Sequence, residues 1–480
     1  MLTSGPSIPR PWSRTEGYVE ENEDGVELEV TGVSPQGMGT AKKGVELYDV
    51  RGAVPGDLVE AKPVGVRGGR KDAIVIRRIS ESVSRTEPRC EHFGVCGGCQ
   101  WQDVVYADQL KLKRDMVVEC FRAAGIGDVE ITEILGAEDV FYYRNKMDFS
   151  FGWSRAGELS LGLYEGAIQD GETVSDNPKH HAPPVFNLQK CWLQSEASNL
   201  IVAAVRESLS DTGLGPYNPS GRTGTLRSLV VRDIKETGDV LVNLNVARKI
   251  HAAGVAEAAT RACADVKGLV QSVNRKRSRN AVPRLQETVF GQDRIVEQIL
   301  GLEVQLSATS FAQVNSRQAE RLYRHVLHEA RLIGSERILD LYCGAGTMSL
   351  LLAKQAASVT GVEVVEEAVQ DARRNAERNG ILNSKFVCKD VLDFFRGKVP
   401  EVDVVTVNPP RAGIYRAVLN AICRMEVERI VYVSCNAKTL ARDLVGFKRK
   451  GYRVGHVQLV DLFPHTHHCE AVVSITRGRS

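Results

Sequence analysis

The sequence contains no apolar run approaching the roughly 18 residues of a membrane-crossing helix, so no spanning segment is expected. Met1 to Gly25 carries Pro6, Pro9 and Pro11 but no apolar core of the kind a secretory signal has. It reads as a flexible lead-in to a cytoplasmic protein. A dominant charge is missing as well: 62 Lys and Arg face 60 Asp and Glu, leaving +2, which excludes a uniformly basic nucleic-acid binder. Cysteine is scarce, at 11 in 480 residues, too thin for a disulfide scaffold. In a chain without a signal, these cysteines point to metal binding, catalysis or core filling. Internal repeats and low-complexity tracts are absent, which removes solenoid and largely disordered architectures.

What is present fits an ordinary globular chain, 43% hydrophobic and 25% charged, long enough for about three domains. Its positive charge gathers locally. Arg67, Arg70, Lys71, Arg77 and Arg78 face only Asp72 nearby in sequence, and Arg275, Lys276, Arg277, Arg279 and Arg284 form a second island without an acid. Either island could be a solvated face; together they favour a polyanionic partner.

The patterning divides the chain as 1–24, a flexible N-terminus; 25–84, a small β domain; 85–306, a central α+β region; and 307–480, an α/β domain. Short strands such as Val26 to Val30 and Ala73 to Ile76, with the turn Val54-Pro55-Gly56-Asp57, suggest a barrel of the oligonucleotide-binding type. Leu112, Met116, Val117, Cys120 and Phe121 fall at helical spacing, within a helix near 103–130. From Ser310 onward strands alternate with helices, which implies a doubly wound parallel sheet. Two final strands without a helix between them are expected to close its edge as an antiparallel hairpin.

Four motifs in this last region carry chemistry. Leu339-Asp-Leu-Tyr-Cys-Gly-Ala-Gly-Thr347 sits between a strand and a helix, and Gly344 and Gly346 let a ligand approach the backbone. Glu363, 23 positions after Asp340, can accept hydrogen bonds from both ribose hydroxyls of an adenosine-containing cofactor. Ser349 replaces the third glycine of a pyrophosphate fingerprint, so S-adenosylmethionine suits the loop better than a dinucleotide. Asp390, after the third strand, is placed to reach the adenine. Val407-Asn-Pro-Pro-Arg411 ends the fourth strand and turns Asn408 towards the same crevice; a rigid structural turn is the competing reading. Arg411 stands where amino-group methyltransferases usually have an aromatic, which argues against amine methylation.

Val433-Ser-Cys-Asn436 ends the fifth strand just before a helix starting near Lys438. That helix N-terminus is expected to lower the pKa of Cys435 and favour a nucleophile over a buried structural cysteine. In Asp461-Leu-Phe-Pro-His-Thr-His-His-Cys-Glu470, an extended segment would put Thr466, His468 and Glu470 on one face, with Glu470 a candidate base. A metal site from His465, His467 and Cys469 competes poorly, because residues four apart on a strand are separated by roughly 13 Å. Further upstream, Cys90-x5-Cys96-Gly-Gly-Cys99 packs three thiols too closely for core filling, and four thiolates can hold zinc or a cubane iron–sulfur cluster. Cys191 is the preferred fourth ligand, ahead of Cys120.

Together these motifs resemble the RNA 5-methyluridine methyltransferases, and most specifically the iron–sulfur-containing bacterial 23S ribosomal RNA (uracil-5-)-methyltransferases. The resemblance runs from about Glu27 to the C-terminus and also rests on Ser310-Phe-Ala-Gln-Val-Asn315. It implies a multidomain α/β chain: an OB-like TRAM barrel, a central α+β domain carrying an iron–sulfur cluster, and a C-terminal Rossmann-like class I methyltransferase fold. By the same resemblance Gln313, Tyr342, Thr347, Glu363, Asp390 and Asn408 contact S-adenosylmethionine. Cys435 is the nucleophile, Glu470 the base, and Cys90, Cys96, Cys99 and Cys191 hold a [4Fe–4S] cluster. The helix near Gln109 is expected to pack with the C-terminal domain. Two positions depart from the pattern: Asn408 stands where many members carry aspartate, and Ala312 where a bulkier residue is common.

The implied partner is RNA, 23S ribosomal RNA first, with no DNA, no membrane and a monomeric state as the default. The same reaction on the T-loop of transfer RNA, a methylthiotransferase, and a non-catalytic RNA-binding iron–sulfur protein are the rivals. The methylthiotransferase would need CxxxCxxC and a C-terminal barrel, and the sequence has neither.

Overall fold

Leu28 and Val30 alternate with Glu27 and Glu29 along β1 (Val26–Val33), and that two-residue period buries one face of the strand. In the computed structural model, which describes residues 25–34, 36–166, 168–169, 172–173, 184–275 and 285–478, four more strands complete a barrel. They are β2 (Gly39–Lys43), β3 (Glu46–Arg51), β4 (Leu58–Arg67) and β5 (Arg70–Ser80), closed in the order β1-β2-β3-β5-β4. Val30, Tyr48, Val50, Val59, Ala61 and Ala73 fill the interior.

Closure changes the meaning of the first basic island. Arg70 pairs with Asp49 at 2.7 Å, Arg77 with Glu60 at 3.0 Å, Arg78 with Asp103 at 2.7 Å and Arg67 with Asp72 at 3.2 Å, while Lys71 bonds to Glu46. The expectation of a patch opposed only by Asp72 is therefore corrected. Glu46, Asp49 and Glu60 sit on neighbouring strands, where strand pairing delivers them to the cations, and Asp103 comes from the turn before Tyr106. Of the second island, residues 276–284 lie outside the described residues.

After the barrel, α1 (Tyr106–Ala123) carries Leu112, Val117 and Phe121 on one face. The central sheet has the order β10-β7-β6-β11-β12-β13-β14, built from β6 (Lys146–Trp153), β7 (Leu159–Tyr164), β10 (Val185–Asn187), β11 (Leu226–Asp233), β12 (Val240–Val246), β13 (Val266–Val273) and β14 (Leu285–Gly291). A small separate hairpin, β8 (Ile168–Gln169) and β9 (Glu172–Thr173), leaves it between β7 and β10. Two helices, α2 (Glu196–Ser210) and α3 (Ala253–Ala262), cover one face with Ile201, Val205, Val255 and Ala259.

The hairpin β15 (Arg294–Ile299) and β16 (Leu302–Ser307) lies almost wholly before residue 307, yet Leu302, Val304 and Leu306 share a core with Leu350, Leu351 and Val369 of the C-terminal region. Its hydrophobic face has its partner there, so that core begins earlier than the 306/307 boundary read from sequence. Then follow α4 (Ser316–Ala330), β17 (Arg337–Leu341), α5 (Thr347–Ala353), β18 (Ser358–Glu363), α6 (Glu366–Arg378), β19 (Ser384–Cys388), α7 (Val391–Phe395), β20 (Val404–Val407), α8 (Arg416–Arg424), β21 (Arg429–Ser434), α9 (Ala437–Lys448), β22 (Tyr452–Val460) and β23 (Glu470–Arg477).

These strands form one sheet in the order β19-β18-β17-β20-β21-β23-β22. The first five run parallel, and β23 lies antiparallel between β21 and β22. This is the Rossmann-like arrangement, with helices on both faces. α1 packs on α9, placing Val117 and Phe121 in the core with Val405, Val407, Leu444 and Phe447. Among the described residues, no helix is long and apolar enough to cross a membrane.

Candidate active site

In an open parallel sheet the crevice lies beyond the carboxyl ends of the strands, at the point where strand order reverses. Here β17 and β20 flank that point, and the loop after β17 shapes it. Tyr342, Gly344 and Gly346 all have positive φ, at 63°, 56° and 83°. A Cβ on Gly346 would lie 2.8 Å from that of Ala372 and 3.1 Å from the Phe386 ring, so only glycine fits; Gly344 faces open space.

Asp340 ties this loop down from below. It is fully buried, accepts from Ser349 Oγ at 2.5 Å and Thr406 Oγ1 at 2.7 Å, and burial raises its pKa to about 6. Glu363 braces the loop from the side. One carboxylate oxygen accepts from Gly344 N at 3.2 Å, the other from Val364 N at 2.8 Å and Val365 N at 3.0 Å. Thr347 opens α5, and Asn408 ends β20 with its N–H on Leu341 O at 3.3 Å. Asp390 is exposed and caps α7 through Leu392 N at 2.8 Å, so one of its oxygens has a structural task that sequence reading missed. Gln313 is buried, in a loop held where Asn145 Nδ2 donates to Gln313 O at 2.9 Å and Asn145 N to Val314 O at 2.8 Å.

Register brings Cys435 and Glu470 together. Ser434 of β21 opposes Ala471 of β23, so Cys435, one residue on, and Glu470, one residue back, leave adjacent strands side by side. Arg411 completes the cluster: Asn436 Nδ2 and Thr439 Oγ1 donate to Arg411 O at 3.1 and 3.2 Å, which fastens the Asn408–Arg411 turn to the start of α9. The Arg411 guanidinium donates to His468 Nε2 at 3.2 Å, and burial holds His468 at about 3, neutral and able to accept.

The electrostatics correct one expectation. A helix N-terminus was expected to depress the Cys435 pKa, but burial, helped by Glu470, pushes the thiol up to about 11, while Arg411 pulls it down. The Asn436 side chain already occupies the N–H groups of Lys438 and Thr439 at 3.1 and 3.3 Å, which spends the helix end locally. Glu470 is 4% exposed, and burial raises it to about 8 against the pull of Arg411. Near neutrality it is mostly protonated. Arg411 was visible in the sequence, but its pairing with Cys435 and Glu470 had no sequence signal.

The segment before Glu470 is a loop, not the extended strand expected. His465 has φ 67°, and Thr466 N turns back to Phe463 O at 3.2 Å, so side chains there do not alternate between two faces. His465 stacks on Phe141 with ring centroids 4.5 Å apart, while His467 faces Gln100. Among the described residues, no group of three or more His, Cys, Asp and Glu side chains is arranged around a single metal ion.

Cys90, Cys96, Cys99 and Cys191 line one pocket, walled by Phe93, Met147, Leu163, Leu188 and Leu193. All four are free thiols. Burial is the first cause raising each, Cys90 to about 11 and Cys99 to about 12; neighbouring thiols add to it at Cys90, Cys96 and Cys99, while Arg144 lowers Cys191. Cys120 lies instead on α1 against the C-terminal core.

Residues 238–478 match the family described as tRNA (Uracil-5-)-methyltransferase. An uncharacterized RNA methyltransferase of Clostridium acetobutylicum is 34% identical over 469 residues, covering 96% of this chain and 98% of its own. One from Halalkalibacterium halodurans is 35% identical over 466 residues, with the same two coverages. Among solved structures, Pyrococcus abyssi tRNA (uracil-54, C5)-methyltransferase in complex with S-adenosyl-L-homocysteine is similar with a TM-score of 0.72 and 26% identity, over 94% of this chain and 99% of that one. With a glycine loop, a braced acid and a thiol–carboxylate pair at one crevice, the chain belongs to the tRNA (uracil-5-)-methyltransferase family, and is an S-adenosylmethionine-dependent RNA (uracil-5-)-methyltransferase.

Proposed function

We propose that the chain methylates carbon 5 of a uridine in 23S ribosomal RNA, with Cys435 as nucleophile and Glu470 as base. The observation that carries this reading is the β21–β23 register, which seats the Cys435 thiol beside the Glu470 carboxyl and Arg411.

The crevice fits the donor: Gly344 leaves space at the loop, and Glu363 keeps one lone pair, on the oxygen that Gly344 N contacts, beyond its three backbone contacts. Gln313, Tyr342, Thr347, Glu363, Asp390 and Asn408 would hold S-adenosylmethionine, which supplies the methyl group when bound. Carbon 5 of uracil is a weak nucleophile. Addition of the Cys435 thiolate to carbon 6 creates an enolate whose carbon 5 is nucleophilic. Arg411 stabilises that thiolate as it forms, and the raised pKa of Glu470 keeps the neighbouring carboxyl neutral, which spares it a second negative charge. The thiol proton of Cys435 leaves to solvent as the thiolate adds. After methylation Glu470 loses its own proton to solvent. As carboxylate it then takes the carbon 5 proton, whose electron pair re-forms the C5–C6 double bond as the carbon–sulfur bond breaks and returns its electrons to Cys435. A carboxylate with a pKa of about 8 is a stronger base than an exposed one.

The four-cysteine pocket fits a [4Fe–4S] cluster. Its donors are thiols, its walls are apolar, and Gly98 N and Gln102 Nε2 donate to Cys96 and Cys99 sulfur at 3.3 Å each. Cys90, Cys96, Cys99 and Cys191 would hold the cluster through their thiolates. Bound there, it would crosslink the Cys90–Cys99 and Cys191 segments. The cluster motif favours ribosomal RNA, whereas the transfer RNA specificity of the solved archaeal relative favours the T-loop as the second reading. Incubating the enzyme with labelled donor and each RNA, then mapping the labelled nucleotide, decides between them. Label confined to transfer RNA would replace the first reading, and label in neither would remove both.

A further inference from the structure

The loop of residues 461–469 runs into Glu470, whose backbone belongs to β23. The loop itself is anchored from outside the sheet, in part by Asn315 Nδ2 on Leu462 O at 3.4 Å and Gln318 Nε2 on Asp461 O at 2.9 Å. It is also gripped by chain more than 300 residues away, immediately beyond Cys99. Gln100 N and Trp101 N both donate to His465 O, at 3.0 and 3.1 Å. Gln109, with no exposed surface, accepts from His465 N through Oε1 at 2.8 Å and donates through Nε2 to Trp101 O and Val104 O at 2.9 Å each. One buried amide thus ties α1, the cysteine segment and the loop together. Lys113, equally buried, bonds Asp461 at 2.6 Å and Phe463 O at 3.0 Å, and Tyr106 OH donates to Asp461 at 2.8 Å.

Cys435 is held by different means. Ser434 Oγ accepts from Asn436 N at 3.1 Å, and Asn436 caps α9. None of those bonds involves the cysteine segment. The two supports meet through Arg411, which is fastened to Asn436 and donates to His468 of the loop, but only the loop's own anchors lead to the four-cysteine pocket.

We infer that Gln109 and the Cys99–Trp101 segment form a positioning clamp on the Glu470 loop, through which the four-cysteine pocket governs proton removal from the RNA adduct and not methyl transfer. The inference rests on the proposed role of Glu470. In the step concerned, the carbon 5 proton passes to Glu470, its electron pair forms the C5–C6 double bond, and the carbon–sulfur bond electrons return to Cys435. Proton transfer demands hydrogen-bond distance, so a loosened loop slows this step, while thiol addition keeps its geometry.

The test is a single-turnover reaction with labelled donor and substrate RNA, following label in RNA and protein–RNA adduct on denaturing gels. Gln109→Met keeps the volume and removes the bonds; Cys191→Ser perturbs the pocket at a residue remote from the crevice. Gln109→Met is expected to methylate in the first turnover within about twofold of the wild type, and in both variants the adduct is expected to persist roughly tenfold longer or more relative to the methylation step. Should the two steps slow in proportion, or Gln109→Met accumulate no adduct, the clamp is refuted. Glu470→Gln, run alongside, separates the two claims: no adduct there removes Glu470 as base, whereas adduct there but not in Gln109→Met removes only the clamp. If Cys191→Ser fails to fold, Gln109→Met alone decides.

Discussion

Cys435 and the four pocket cysteines are one chemical group in two surroundings. Burial raises the Cys435 and Cys90 thiols alike to about 11, so burial does not separate a nucleophile from a ligand. Their neighbours do. Around Cys435 stand Arg411 and a titratable carboxyl; around each pocket cysteine stand three further thiols, the apolar Phe93, Leu163 and Leu188, and one cation, Arg144, which lowers Cys99 and Cys191. A thiolate formed briefly needs a fixed counter-charge nearby, and Arg411 is one. Under the proposed cluster reading, the pocket sulfurs would be held as thiolates by a soft cation, and low-dielectric walls would strengthen that bond.

The sharpest way to break this contrast is Cys435→Ala. Turnover is expected to fall by at least roughly 10⁴-fold, as for loss of other covalent nucleophiles, with donor binding by calorimetry retained. Comparable loss from any single pocket Cys→Ser substitution, in folded protein, would erase the distinction. Glu470→Gln comes next: steady-state rate falls roughly 10²- to 10⁴-fold, and a covalent protein–RNA species accumulates. Arg411→Met tests the counter-charge. The pH midpoint for iodoacetamide labelling of Cys435 should rise by roughly one unit, because Arg411 now lowers it, whereas Glu470→Gln should lower the midpoint. Neither change should move labelling of Cys99.

On the other side of the comparison, anaerobically purified protein should absorb broadly near roughly 400 nm, and the Cys191→Ser variant should lose that band. The smallest effect concerns stability. The folded Glu470 pKa of about 8 lies above the ordinary 4.5, so its neutral form stabilises the fold fully below about 4.5, and this contribution is lost as pH rises through 8. Glu470→Gln should flatten the thermal midpoint across that window; an unchanged slope would show that Glu470 is not buried as described.

Much of the donor crevice was legible because its parts are local. The Gly344–Gly346 turn, Glu363 at a strand end and the edge hairpin of β22 and β23 follow from glycine freedom and strand–helix alternation. Grouping Cys191 with Cys90, Cys96 and Cys99 needed spacing and family resemblance. What escaped were relations between distant segments: the acids that pair with the barrel's basic island, the cap that Asp390 provides, the loop geometry at His465 and the hairpin that joins the C-terminal core. Sequence periodicity carries no term for partners across a sheet.

The sequence by itself determined which elements form and which residue types could do the chemistry, since periodicity, turn residues and motif spacing act within a few residues. Only the tertiary structure decided that β23 inserts beside β21. That insertion brings Glu470 to Cys435, buries both and leaves Arg411 between their charges. Strand order and burial set those pKa values, and both depend on chain segments far apart.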